Sequence, residues 1–299
     1  MRRPASGAAF AAAKVNLYLH VGALDADGFH PLSSLMVFAD VGDRLGLRAG
    51  EALGLSVGGR FGEGLGAGED NLVLRAARAL IAAIDTAPPR FCLTLTKDLP
   101  LAAGLGGGSS DAGAVLRLIR DTMAPQVDDA ALEAIAVSLG SDGAACLWAR
   151  PVIAEGRGER LSPAPRLPRL DAVLVNPLVA SPTGPVYRAY DATGAPGGAD
   201  RPAMPEAFES AEELAGFLAL CRNDLEAPAA GLAPAIGDVL ETLRGEPETL
   251  LGRVSGSGAT CFALCAGDIE AETLTERLEQ MRPGWWVRRC RLGGPELFD

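Results

Sequence analysis

The sequence is poor in several residue types, and each shortage excludes a class of function. Of its 299 residues only two are histidine and only two are lysine, and its six cysteines are scattered without any Cys-x-x-Cys pair. Such sparse ligands indicate neither a zinc site nor a disulfide framework. No segment approaches the roughly 18 uninterrupted apolar residues of a membrane-spanning helix, so we expect no membrane partner.

The charge balance is strongly acidic, with a formal net charge of −11. Nucleic-acid binding draws on surface Lys and Arg, so this balance argues against a nucleic-acid partner, although local backbone donors can still bind a small anion. The first residues contain two arginines and an alanine-rich run, which superficially resemble a secretory signal. Lys14, Asn16 and His20 interrupt its apolar stretch, and we therefore expect a cytoplasmic protein.

Hydrophobic residues make up 48% of the chain, enough to fill a large core. Apolar residues alternate with polar ones over residues 15–21, which predicts a half-buried strand with Lys14 and Asn16 on one face. Residues 91–96 predict another strand, and helical spacing predicts helices from Asp70 and over residues 129–139. A proline-rich stretch around residues 160–170 predicts a linker.

The stretch LPLAAGLGGGSSDAG, residues 99–113, joins a predicted strand to a predicted helix that Ser109 or Ser110 would cap. Its glycines allow close backbone approach and positive φ, and the N-terminus of a helix favours an anion by about 0.3–1 kcal/mol. The pattern therefore predicts a phosphate-binding loop. The Walker pattern is excluded because glycine precedes neither lysine, and the dinucleotide pattern fails because serine occupies the third glycine position.

Several segments together resemble the GHMP kinase family. The loop PLAAGLGGGSS is similar to its glycine motif, and AKVNLYLHVGALDADGFHPLSSL, EDNLVLRAA, RNDLE and SGSGATCFAL occur in the family's order. The segment AKVNLYLHVGALDADGFHPLSSL is similar to the family members that phosphorylate the 2-hydroxyl of diphosphocytidyl-methylerythritol. The resemblance implies an α+β fold of two domains with the active site in the cleft between them. The proline-rich stretch predicts the division between these domains, at residues 1–160 and 161–299. The resemblance also implies ATP and Mg²⁺ as cofactors and a small-molecule substrate.

The same resemblance assigns roles to individual residues. It places Lys14 and Asp142 at the catalytic positions, and Asn16, His30 and Tyr187 at positions that contact the cytidine-bearing substrate. It assigns ATP binding to one continuous stretch: Pro100, Leu101, Ala102, Ala103, Gly104, Leu105, Gly106, Gly107, Gly108, Ser109 and Ser110. No Mg²⁺ ligand is assigned.

The chain departs from the family pattern in three places. Gly143 and Ala144 follow Asp142 where the family often has Val-Pro, Ala102 and Ala103 stand where many members have glycine, and Phe29 replaces a tyrosine. The loss of proline predicts a less rigid turn after Asp142.

Some assignments keep two alternatives. Asn71 and Lys97 either enclose adenine or serve as a helix cap and a strand end, and residues 255–258 either close on the phosphate loop or form a simple hairpin turn. Asp111 would repel phosphate unless a cation or the start of the helix offsets its charge. The rival functions are a kinase of mevalonate, homoserine or a sugar, and a nucleotide-binding module without turnover.

Overall fold

The computed structural model describes residues 6–84, 90–194, 197–294 and 296. Contacts within the chain divide it into two compact units whose segments alternate along the sequence. Unit 1 comprises Met1–Ala13, Gly42–Leu101 and Gly106–Ala149, and unit 2 comprises Lys14–Val41, Ala102–Leu105 and Arg150–Asp299. The division at residues 160 and 161 stays a prediction.

Unit 1 packs helices on a small group of strands. Strands β1 (Gly7–Val21) and β2 (Leu32–Ala49) each contribute one end to it, and β3 (Gly54–Gly58) and β4 (Phe91–Thr96) lie within it. Strand β4 pairs antiparallel with the end of β2 and parallel with β3. Its helices are α1 (Leu72–Ala83), α2 (Gly107–Met123), α3 (Asp129–Leu139) and α4 (Gly143–Trp148). Leu80, Leu93 and Ile119 are among the buried residues of its core.

Local sequence explains where two of these helices begin and end. The Asn71 side chain accepts a hydrogen bond from Val73 N–H at the start of α1, and Asp128 accepts one from Ala131 N–H at the start of α3. Both bonds satisfy donors that have no partner inside the helix. Helix α3 stops at Gly140, as predicted. Strand β4 and helices α1 and α3 confirm the sequence-based predictions for these segments, and Asn71 is confirmed as a helix cap.

Unit 2 is built on a mainly antiparallel sheet in the order β2, β10, β7, β9, β8. Its further strands are β5 (Val152–Gly156), β6 (Arg160–Pro163), β7 (Leu170–Asn176), β8 (Thr249–Val254), β9 (Cys261–Cys265) and β10 (Trp286–Gly293). Its helices are α5 (Thr183–Asp191), α6 (Ala211–Ala219), α7 (Glu226–Leu232), α8 (Pro234–Gly245) and α9 (Asp268–Met281). None of the helices in the described part of the chain has the length and apolar character needed to cross a membrane.

Two sequence-based predictions for unit 2 are wrong. The linker expected from residue 160 begins instead with β6, which pairs with β5 in an antiparallel ladder. Strand β1 is buried on both faces from Ala11 to Val21, whereas the alternation predicts a half-buried strand. The alternation failed because the polar face of β1 is covered too: Lys14 is 4% exposed and Asn16 is 2% exposed.

Candidate active site

The predicted phosphate loop turns into helix α2 earlier than the sequence predicts. Neither Ser109 nor Ser110 is the cap, because Gly106 holds that position with a φ of 62° and the helix begins at Gly107. A left-handed φ is unfavourable for any residue with a Cβ atom, so glycine here lets the chain enter the helix directly. Both serines therefore lie in the first turn of α2, beside backbone N–H groups that an anion can use.

The middle of the loop lies against residues 255–260, the connection between β8 and β9 in unit 2. Gly104 has a φ of 74°, and a Cβ atom there would lie 2.2 Å from the carbonyl oxygen of Ser255. The Ser255 hydroxyl donates to the Gly104 carbonyl at 2.9 Å, and Thr260 N–H donates to the Ala103 carbonyl at 3.0 Å. Residues 255–258 therefore belong to a hairpin connection that also contacts the predicted phosphate loop.

Side chains that the sequence analysis did not identify hold this hairpin connection. Asn223 Nδ2 donates to the carbonyls of Val254 and Gly256, each at 2.8 Å, and Ser181 Oγ donates to the Ser257 carbonyl at 2.7 Å. Asn223 belongs to the RNDLE segment that carries the family resemblance. Its role was not predictable because it depends on contacts about 30 residues away in sequence.

A buried ion cluster anchors the start of the phosphate loop in unit 1. Lys97 Nζ donates to Asp43 Oδ2 at 2.5 Å and to Asp111 Oδ2 at 2.7 Å, and all three side chains are at most 3% exposed. Asp43 Oδ1 also accepts from the N–H groups of Asp98 and Leu99. Lys97 is thus the cation that offsets the charge of Asp111 beside the loop. It also directly follows strand β4, in agreement with the alternative that placed it at a strand end.

Burial and charge act in opposite directions on the pKa values of this cluster. Burial raises the pKa of Asp111 to about 7, against the opposing effect of the Lys97 ammonium, and the negative charge of Asp43 adds to the rise. Burial by itself lowers the pKa of Lys97, but Asp111 and Asp43 outweigh it and hold the pKa above its usual value.

Two buried oxygens near the start of α2 have no hydrogen-bond partner among the described residues: Ser110 Oγ and Asp111 Oδ1. A buried polar atom without a partner is costly, so an unsatisfied hydroxyl inside a phosphate loop suits a polar ligand. Within the same residues no cluster of three or more His, Cys, Asp or Glu side chains is placed to hold a metal ion. This arrangement is compatible with Mg²⁺, which keeps several waters and is usually bound through few carboxylates together with substrate phosphates.

The first predicted catalytic residue, Lys14, lies on β1 and takes part in a series of buried hydrogen bonds. Its Nζ donates to Asn16 Oδ1 at 2.5 Å, and Asn16 Nδ2 donates to Ser34 Oγ at 2.8 Å. Asn16 N–H also donates to Ser255 Oγ at 3.2 Å. The structure therefore brings Lys14 and Asn16 together and connects them, through Ser255, to Gly104 of the phosphate loop.

The second predicted catalytic residue, Asp142, belongs to unit 1, on the turn after α3. It is the N-cap residue of α4, and Cys146 N–H donates to its backbone carbonyl. A Cβ atom on the next residue, Gly143, would lie 1.9 Å from the carbonyl oxygen of Ala136 in α3. Only glycine permits this close approach. The glycine that replaces the usual family residue after Asp142 therefore lets α4 pack directly against α3.

The predicted substrate contacts His30 and Tyr187 lie together in unit 2. Their ring centroids are 5.0 Å apart, with an interplanar angle of 35°. His30 Nδ1 lies 2.9 Å from the Gly22 carbonyl oxygen, and Nε2 lies 3.2 Å from Asp191 Oδ1, which fixes the imidazole plane. The adjacent Phe29 is exposed and stacks under the Arg157 guanidinium. This polar and aromatic surface suits a planar heterocyclic ring.

Comparison with known proteins gives concordant matches. Residues 71–150 match the family described as GHMP kinases N terminal domain, and residues 203–283 match GHMP kinases C terminal. A 4-diphosphocytidyl-2-C-methyl-D-erythritol kinase from Caulobacter sp. (strain K31) is 65% identical over 288 residues, covering 96% of this chain and 98% of the relative.

Solved structures agree with these matches. A crystal structure of 4-(cytidine 5'-diphospho)-2C-methyl-D-erythritol kinase has a TM-score of 0.76 and 32% identity, covering 96% of this chain and all of that one. Homoserine kinase from Cytophaga hutchinsonii has a TM-score of 0.71 at 18% identity, with coverage of 97% and 95%, and supports the fold alone. Together these matches confirm the predicted α+β fold with two domains of this type.

Proposed function

Because the chain belongs to the GHMP kinase family, we propose that it is an ATP-dependent kinase that phosphorylates the 2-hydroxyl of 4-diphosphocytidyl-2-C-methyl-D-erythritol. In this role it would serve the methylerythritol phosphate route to isoprenoid precursors. The observation that carries the proposal is 65% identity over nearly the whole chain to a relative with that activity in its name. The rival acceptor homoserine has no comparable support, since homoserine kinase shares the fold at only 18% identity.

The residues of the phosphate loop fit a bound nucleotide. Gly104 and Gly106 adopt positive φ, the first turn of α2 offers backbone N–H donors, and Ser110 Oγ is buried without a partner among the described residues. We assign the phosphates of ATP to residues 100–110 and propose that Ser110 contacts either a phosphate or Mg²⁺. When bound, Mg²⁺ would neutralise charge on the phosphate oxygens.

The proposed reaction needs a proton acceptor and a fixed cation from the protein. The 2-hydroxyl oxygen forms a bond to the γ-phosphorus, the bond between the γ-phosphorus and the bridging oxygen of ADP breaks, and the hydroxyl proton passes to the Asp142 carboxylate. Lys14 stabilises the charge that develops on the transferred phosphoryl group, and it donates a hydrogen bond to Asn16 in the structure. We propose that Asn16 in turn contacts the substrate.

The cytidine end of the substrate is assigned to His30 and Tyr187. Both rings are held in unit 2, and a pyrimidine offers a flat face for stacking and polar edges for hydrogen bonds. Because Asp191 and the Gly22 carbonyl fix the imidazole, little ordering entropy should be lost on binding.

The proposal is tested by measuring ADP release from Mg-ATP with each candidate acceptor in parallel. Turnover with the diphosphocytidyl substrate and none with mevalonate, homoserine or galactose is the expected result. The Asp142→Asn variant should lose most turnover while still binding ATP. ATP binding without turnover on any acceptor would indicate a nucleotide-binding module instead.

A further inference from the structure

Ser34 on strand β2 lies at the end of the hydrogen-bond chain that begins at Lys14. Its side chain is fully buried, its hydroxyl donates to the Tyr18 carbonyl at 2.6 Å, and its oxygen accepts from Asn16 Nδ2 at 2.8 Å. Lys14, Asn16, Tyr18 and Ser34 all belong to unit 2.

The chain of bonds has one possible direction, because its two ends are fixed. A carbonyl oxygen can only accept, so the single Ser34 proton goes to the Tyr18 carbonyl and the Ser34 oxygen must accept from Asn16. The amide end of Asn16 that faces Ser34 is therefore its NH₂ group. At the other end the Lys14 ammonium can only donate, and it meets Asn16 Oδ1.

The reversed Asn16 amide would fail at both contacts. Its NH₂ group would then face the Lys14 ammonium, setting two donors 2.5 Å apart, and Oδ1 would face a hydroxyl that has no proton left to give. Without the Ser34 oxygen, only the contact with Lys14 would still favour this orientation of the Asn16 amide, and the buried NH₂ group would lose its hydrogen bond to Ser34.

We propose that Ser34 is a positioning residue for the phosphoryl-transfer site: it fixes the orientation of the Asn16 amide and thereby the position of the Lys14 ammonium. This inference rests on the proposed function for its kinetic consequence, because Lys14 is the cation assigned there to the transferred phosphoryl group. Small displacements of such a group lower turnover strongly.

Two isosteric variants isolate the hydroxyl of Ser34. Ser34→Thr keeps the hydroxyl, and Ser34→Val has a methyl group where threonine has its hydroxyl. The threonine and valine side chains have the same shape, and both residues are favourable in a strand. We expect kcat for Ser34→Thr within about threefold of wild type and kcat for Ser34→Val lower than that of Ser34→Thr by about tenfold or more, with the KM for ATP little changed. Ser34→Ala should resemble Ser34→Val.

The matched control is Ser33→Ala, which removes an equally buried hydroxyl from the neighbouring residue. Ser33 Oγ pairs with the Tyr18 phenol at 3.0 Å, so this variant leaves the bonds from Lys14 through Asn16 to Ser34 intact. We expect its kcat within about twofold of wild type. In an Asn16→Ala background Ser34→Val should have no further effect, because the two residues act through one chain.

A spectroscopic measurement tests the positioning without any turnover. The chain has two lysines, so labelling with [ζ-¹⁵N]lysine gives two Nζ resonances, and Ser34→Val should shift that of Lys14 while leaving that of Lys97 unchanged. Equal kcat for Ser34→Thr and Ser34→Val with an unshifted Lys14 resonance would overturn the inference, as would additive effects with Asn16→Ala. Wild-type protein without turnover on the diphosphocytidyl substrate would instead count against the proposed function, and the Lys14 resonance would still decide the role of Ser34.

Discussion

Removal of the Lys97 ammonium should destabilise unit 1 strongly. Lys97→Met leaves Asp43 and Asp111, which are both buried, with two like charges and no cation between them. Removing one partner of a buried ion pair costs about 3–5 kcal/mol, and two contacts are lost here, so we expect the upper part of that range. For a chain of this size such a loss corresponds to a fall in Tm of roughly 10 °C or more.

The pH dependence of this variant follows from the direction of the pKa shift. Burial already raises the pKa of Asp111, and the loss of the opposing cation raises it further in the folded state. The folded state then binds more protons than the unfolded state, so the free energy of unfolding should increase as the pH falls from about 8 towards 6. The destabilisation by Lys97→Met should therefore be largest at alkaline pH and smaller at pH 6.

Urea unfolding of four proteins provides the test: wild type, Lys97→Met, Lys97→Met with Asp111→Asn, and Arg44→Met as the control. Adding Asp111→Asn should recover part of the lost stability because it removes one of the two like charges. Arg44 forms an exposed pair with Asp98 at 3.7 Å, and its removal should cost at most about 1 kcal/mol. A stability loss in Lys97→Met no larger than that in Arg44→Met would contradict the expected role of the ion cluster, as would a further loss of stability when Asp111→Asn is added to Lys97→Met.

Three other changes should have separable effects. Gly104→Ala should lower both the unfolding midpoint and the affinity for ATP, because its Cβ would clash with the Ser255 carbonyl oxygen and the φ of 74° disfavours any residue but glycine. Gly237 has open space around it, so Gly237→Ala should lower neither quantity. Calorimetric titration with ATP distinguishes the two variants. Tyr187→Ala should raise the KM for the cytidine substrate by about tenfold and leave the KM for ATP unchanged, and equal changes in both would contradict the stacking role. Burial lowers the pKa of His20 below 6.5, so the unfolded state binds more protons and wild-type stability should fall as the pH drops below about 6.5. His20→Gln should flatten that part of a stability profile measured by urea unfolding, and an unchanged slope would contradict the assignment.

Much of the fold was predictable because its signals are local. Strand β4 follows from six residues of strand-like sequence, and helix α3 follows from helical spacing and a terminal glycine. The positive-φ glycines of residues 99–113 were predictable for the same reason, since positive φ and close backbone approach select glycine. The role of this loop in phosphate binding stays a prediction.

Two of the missed features share a physical cause, because each depends on a part of the chain that is distant in sequence. Strand β1 carries an alternating pattern, yet its polar face is buried because Asn16 and Lys14 find partners such as Ser34. Likewise, Asp43 lies 54 residues before the lysine that it pairs with. The start of α2 was misplaced for a different reason, because a glycine N-cap in the left-handed region offers no side-chain signal, whereas two serines nearby offered a false one.

The central claim is transfer of the γ-phosphate of ATP to the 2-hydroxyl of the diphosphocytidyl substrate. Its most direct test is ³¹P and ¹³C NMR of the product formed by the wild-type protein with Mg-ATP. We predict one new phosphomonoester signal coupled to carbon 2, formed in equal amount to ADP. A phosphoryl group on another oxygen, or ADP formation without a new phosphomonoester, would contradict the claim.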